Sequence, residues 1–217
     1  MTLLEFARGP ALQWAAAIFV VGMLWRTVGL LMLMRSHPLS ADRRENLAVG
    51  GVRAVFHRFS LSHVFQKKVV FQYVAGWAWH LGFFIVLFFF QLHINFFAGI
   101  LGFSWPALPN GLIVVFGSMS AAVLLMLFVR RFTHPVLRYL STFNDYSSVL
   151  VTALPFITGL AAYMHIGLRY ETLLALHFLS IALLLVWMPF SKLFHVVTIL
   201  PSRYILGVKF WRRGVEA

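Results

Sequence analysis

Cysteine is absent from the 217 residues, and acidic side chains are scarce, six against eighteen Lys and Arg. Without thiols the chain forms no disulfide, binds no iron-sulfur cluster through thiolate and attaches no c-type haem covalently. A redox cofactor held by such a chain has to be gripped by histidine, of which there are nine. Charge of either sign is sparse: 11% of residues are charged and 61% are hydrophobic, with a mean hydropathy of +0.85. Soluble domains carry about 25% charged residues, so the composition is that of an integral membrane protein. No segment between apolar runs exceeds about 35 residues, too few for an independent aqueous domain. Internal repeats and low-complexity tracts are also lacking.

The apolar runs predict an all-α fold, a polytopic membrane bundle of five transmembrane helices forming a single domain over residues 1–217. The spans are expected at about 10–34, 69–97, 112–129, 146–165 and 172–198, joined on one side by a long basic loop over 35–68. The first run lacks a basic leader and a small-residue cleavage site, which reads as a retained helix. A formal charge of +12 would suggest nucleic acid in a soluble protein. Here the basic residues collect where apolar runs end and act as topology signals, with no nucleic-acid partner implied. Seven Lys/Arg lie in the 35–68 loop, three between spans three and four, and five at the end of span five and in the tail, against Arg8 and Arg169 on the other side. The positive-inside rule then puts the N-terminus outside and the C-terminus in the cytoplasm, in a cell inner (cytoplasmic) membrane. Gly50-Gly51 reads as a break in the long loop, whose part from Leu47 onward is expected to form interfacial helices facing anionic lipid or a partner subunit.

Histidine within a span is costly without a partner. His177 and His195 are eighteen residues apart in the run from Glu171 to Pro201. On one continuous helix that is five turns, about 27 Å, with both rings on the same side. Such a helix offers one nitrogen ligand near each membrane face, and a haem b iron accepts two axial imidazoles. His80 lies at the middle of the second span, between Gly76 and Gly82, small residues that allow a flat macrocycle to approach. His93 follows thirteen residues later, about 140° round a continuous helix. By depth, His80 and His195 belong to the cytoplasmic side, and His93, His165 and His177 to the outside. His165 reads as interfacial, and His37, His57 and His63 as solvated loop residues. Arg26, Arg130 and Arg131 lie where cations can meet haem propionates or simply reach the interface. Pro155 is expected to kink the fourth span, and Asp145 to cap its start.

The segment MPFSKLFHVVTILP, with His177 eighteen residues before His195, resembles the last helix of the gamma subunit of respiratory nitrate reductases, a five-helix di-haem cytochrome b. The likeness extends to WHLG around His80 and to RRFTHPVLRYLSTFNDYSSVLVTALPFITGL, and covers most of the chain from Trp77 onward. It implies that His80 and His195 ligate the inner haem and His177 the outer one. The family's second ligand on helix two comes ten residues after the first, where this chain has Phe90, and His93 is the nearest substitute. The long loop, and the absence of lysine near LPNG, look more like the cytochrome b subunits of sulfite-reductase-linked and heterodisulfide-reductase-type membrane complexes. The expected function is that of an electron-transfer subunit of a quinol-linked oxidoreductase complex. It would hold two haem b, use a quinone as substrate and hand electrons to a cytoplasmic iron-sulfur subunit among further complex subunits. The alternatives are a proton-relaying transporter, which asks for acidic residues inside the spans and finds only Asp145, and a haem-free membrane anchor.

Overall fold

Long apolar stretches without charge favour helix, because a lipid-facing backbone has to satisfy its polar groups internally. The computed structural model describes residues 1–33, 41–57 and 66–215, and among these there is no strand. The helices are α1 (Leu3–Phe6), α2 (Leu12–Leu33), α3 (Leu47–His57), α4 (Gln66–Phe89), α5 (Gln91–Leu101), α6 (Asn110–Thr133), α7 (Pro135–Leu140), α8 (Phe143–Met164), α9 (Tyr170–Trp187) and α10 (His195–Arg212). A π turn over Ala7–Ala11, containing Pro10, joins α1 to α2, and two 3-10 turns join α9 to α10.

Six helical stretches among the described residues are long and apolar enough to cross a membrane: Leu3–Met32, Val70–Phe89, Asn110–Thr133, Phe143–Met164, Tyr170–Phe190 and Lys192–Arg212. Their outer faces are apolar; Trp14, Val21 and Trp25 are each more than 60% exposed. The chain is a helical membrane protein. The expected count of five differs because the run over 172–198 is not one helix. Pro189 has no N–H to continue the ladder, and Ser191 is extended (φ −120°, ψ −178°). His195 is therefore the first residue of a new helix, and the same-face relation with His177 that a continuous helix would impose does not apply. The second run breaks too. Phe90 is extended (φ −80°, ψ 127°) and separates α4 from α5.

The chain divides into two units, residues 1–18 with 71–187, and residues 19–70 with 188–217. In the first, α8 packs against α6 and α9, and α1 with the π turn packs on α9. The core comprises Ala121, Leu124, Ala153 and Phe156, with Trp79, Phe83, Val149 and Leu160 around them. Gly82 lies directly against Ser120 and the Phe116 carbonyl, so it serves the α4–α6 contact and not a macrocycle. Asp145 caps α8 through the N–H and hydroxyl of Thr142 (3.0 and 2.9 Å) and pairs with Arg131 (3.4 Å).

In the second unit α3 lies along α10. Gly50 and Gly51 are inside α3, not at a break: their missing side chains make room for Trp211 and Tyr204, and Gly207 admits Ala54. The Trp211 indole donates to the Glu45 carbonyl (3.0 Å), the Arg44 guanidinium lies 4.6 Å from the Trp211 ring, and Arg212 pairs with Asp42. Arg26 donates to the Pro189 carbonyl (2.5 Å) and stands 4.2 Å from the Phe194 ring centre, closing over the turn after Pro189.

Candidate functional site

Two histidines face each other in the first unit. The rings of His93, on α5, and His177, on α9, are 6.3 Å apart between centres, with planes 10° from parallel. Both are partly buried. Their approach depends on the break at Phe90, which cancels the register expected for a continuous second span. Ending α4 leaves carbonyls in its last turn without helical donors. Val86 O receives the Nδ1–H of His93 (2.8 Å), Phe88 O the Trp105 indole N–H (2.5 Å) and Phe89 O the Leu108 N–H (3.0 Å). A carbonyl only accepts, so the His93 proton resides on Nδ1 and the Nε2 lone pair is left available.

His177 is held in a comparable way. Thr158 donates its hydroxyl to Leu154 O (2.7 Å), which leaves its oxygen to accept from His177 Nδ1 (3.2 Å). Ser180 touches the same oxygen (3.0 Å) and donates to the His177 carbonyl (2.7 Å). The ring lies on Gly159, where a Cβ would come within 2.9 Å of Cε1. Phe90 packs edge-on to His93 (5.2 Å, 85°) and also meets Tyr163 (5.8 Å). Thr158, Gly159, Ser180 and Phe90 were not singled out as site residues from the sequence. The Thr-Gly pair within PFITGL was their only visible signal.

His80, half-buried on α4, points Nδ1 at its own helix, at Gly76 O (2.6 Å), with the Trp79 ring 4.0 Å away. Among the described residues, none would come within 4 Å of a Cβ on Gly76. His195 is exposed at the start of α10, with Nδ1 3.0 Å from Lys192 O. His80 belongs to the first unit and His195 to the second. His165 caps α8 in the left-handed conformation (φ 55°), exposed and stacked on Tyr170 at 4.9 Å, so His93 and not His165 is the histidine facing His177. His134 accepts from Leu137 N and opens α7. His57 ends α3 on an exposed face, while His37 and His63 lie outside the described residues.

Arg26 and Arg130, expected beside propionates, hold protein groups: Arg26 the Pro189 carbonyl, and Arg130 the Gln72 side chain (3.0 Å) and the Phe71 ring (4.7 Å). Among the described residues no three His, Cys, Asp or Glu side chains gather as a metal site. A macrocycle that brings four nitrogens of its own asks for only two.

No family model matches the chain, and no solved structure matches it significantly. A protein of Nitratidesulfovibrio vulgaris (strain Hildenborough), named simply "Protein", is 31% identical over 212 residues, covering 94% of this chain and 92% of the relative. With that identity over nearly its whole length, the chain belongs to the same family as this membrane-helical protein's relative from Nitratidesulfovibrio vulgaris.

Proposed function

We propose that the chain is a haem b membrane subunit, akin to the gamma subunits of respiratory nitrate reductases, that carries electrons between a quinone pool and a cytoplasmic iron-sulfur partner. The His93–His177 pair carries the reading. The two rings stand 6.3 Å apart between centres with planes 10° from parallel, and His93 and His177 are the residues that would hold a haem iron. Each has Nδ1 on an oxygen acceptor, the arrangement that leaves Nε2 for a metal and raises the ring's basicity. His80 and His195, with Nδ1 on Gly76 O and on Lys192 O, are each proposed as haem ligands on the strength of the resemblance alone.

Haem, when bound, supplies reversible one-electron chemistry. The chain contributes ligand orientation, burial and an apolar surround. Asp145, the acidic residue on which the transporter alternative relied, is engaged in capping α8 and with Arg131. With no thiolate for a cluster, electrons leave to another protein, and the basic loop and tail, on the cytoplasmic side by the positive-inside rule, are where it docks.

A reduced-minus-oxidised absorption spectrum of the purified protein tests the reading. A b-type band with two haems per chain is expected, and its absence leaves a haem-free anchor. Neutralising Arg43, Lys209 and Arg213 together to Gln should abolish partner retention while the His93–His177 haem stays bound; recovery of an intact complex from that variant would refute the docking site.

A further inference from the structure

From the capped break between α4 and α5 we infer that Trp105 is a positioning residue for His93. This rests on the haem reading of the His93–His177 pair. A histidine thirteen residues after His80 on an unbroken helix would emerge on a different side. It reaches His177 because α4 stops at Phe89 and α5 restarts at Gln91 with a new direction. The FFF run at 88–90 contains neither Gly nor Pro, so nothing local compels the break, and its stability comes from whatever satisfies the freed carbonyls.

Three donors do so side by side. The Trp105 indole takes Phe88 O, Leu108 N takes Phe89 O, and His93 itself takes Val86 O. The Trp105 ring is seated on Phe97 (6.3 Å, 27°) and Phe103 (6.0 Å, 51°). Phe97 is one turn after His93 on α5, and α5 ends at Gly102, whose left-handed φ of +79° turns the chain back so that Trp105 faces α4. Trp105 therefore bonds the end of one helix while packing on the helix that bears the ligand. It sets the angle between them, and the bond from Val86 O to Nδ1 then sets the rotation of the His93 ring. The result is a pair of imidazole rings with nearly parallel planes.

Ligand-plane angle has its own spectroscopic signature. Low-spin ferric haem with near-parallel axial imidazoles gives a rhombic EPR signal with three resolved g values, whereas crossed planes give one broad feature at large g. The test is redox-titrated EPR on membranes containing the full complex, where the outer signal is the one that His93→Ala abolishes. The wild type should give a rhombic outer signal. Trp105→Phe, which keeps an aromatic ring, though a smaller one, and removes the N–H, should shift that signal toward large g and move its midpoint, leaving the inner signal in place. Trp14→Phe, at an exposed tryptophan on α2, should leave both signals unchanged. A large-g outer signal in the wild type overturns the inference, as does an unchanged outer signal in Trp105→Phe, or an equal shift in Trp14→Phe. Loss of both haems together in Trp105→Phe also overturns it, because the cap would then serve folding and not the ligand. Absence of any haem in the wild type is a different result and refutes the cofactor reading itself.

Discussion

The two units differ most in charge. The unit of residues 19–70 and 188–217 has thirteen of the eighteen Lys and Arg and three of the six acidic residues, a formal +10, whereas residues 1–18 and 71–187 carry five and three, a formal +2. The nearly neutral unit contains the facing histidines, whose acceptors are carbonyl and hydroxyl oxygens. The basic unit is held by close packing of α3 on α10, with an ion pair and guanidinium–indole contacts around Trp211. Neutral polar partners suit a site within lipid, where an unpaired charge is costly. Clustered cations suit a surface that meets headgroups or a soluble protein. The same chain thus keeps its facing imidazoles in one unit and most of its charge in the other.

The sharpest way to break this division is to remove a facing ring. His93→Ala and His177→Ala should each eliminate one haem, the same one, with the α3–α10 pair intact; a haem count by pyridine haemochrome with limited proteolysis reads both. If the two substitutions remove different haems, the pairing is wrong.

A milder intrusion is Gly159→Val, which pushes side-chain atoms into the His177 ring. Overpacking of this kind costs about 1–3 kcal/mol, and roughly tenfold lower outer-haem occupancy is expected, measured against the inner haem in the same preparation. In the basic unit, Gly207→Leu drives into Ala54 and the Gly50 carbonyl. A similar cost of about 1–3 kcal/mol should loosen α3 and speed tryptic cleavage at Arg53, with the outer-haem band unaltered. A simultaneous loss of that band would mean the units are not energetically separable.

The smallest effect is expected for Thr158→Val, which removes the hydroxyl acceptor at His177 Nδ1 and leaves the Pro155 backbone beside the ring. Losing one such bond costs about 0.5–1.5 kcal/mol. A less basic axial ligand stabilises ferric iron less, so the outer-haem midpoint should rise while occupancy stays near wild type. A fall in midpoint would show that Thr158 does not accept from the ring.

Helical class and membrane character were legible because hydropathy sums over many residues and tolerates local error. The cap at Asp145 was legible too, since a carboxylate three residues after Thr142 is a local signal. The breaks were not. Pro189 was visible, but the apolar run continues past it to Pro201, and hydropathy does not register a missing N–H. The break at Phe90 lacks even that sign, because its carbonyls are satisfied by Trp105 and Leu108 from a later loop. Gly50-Gly51 misled in the opposite sense. The pair reads as a turn, yet it lies within a helix whose stability comes from the close approach of α10.

By itself the sequence determined that this protein lives in a membrane, that it has no thiol chemistry, that its cations gather at the ends of apolar runs, and that histidine is the ligand it can offer. These follow from composition and from the cost of burying polar groups, which do not depend on how the chain turns. Only the tertiary structure decided which ring faces His177. Ring orientation depends on where a helix stops and which distant donor caps it, and for His93 that was decided at Phe90, by a tryptophan fifteen residues further on.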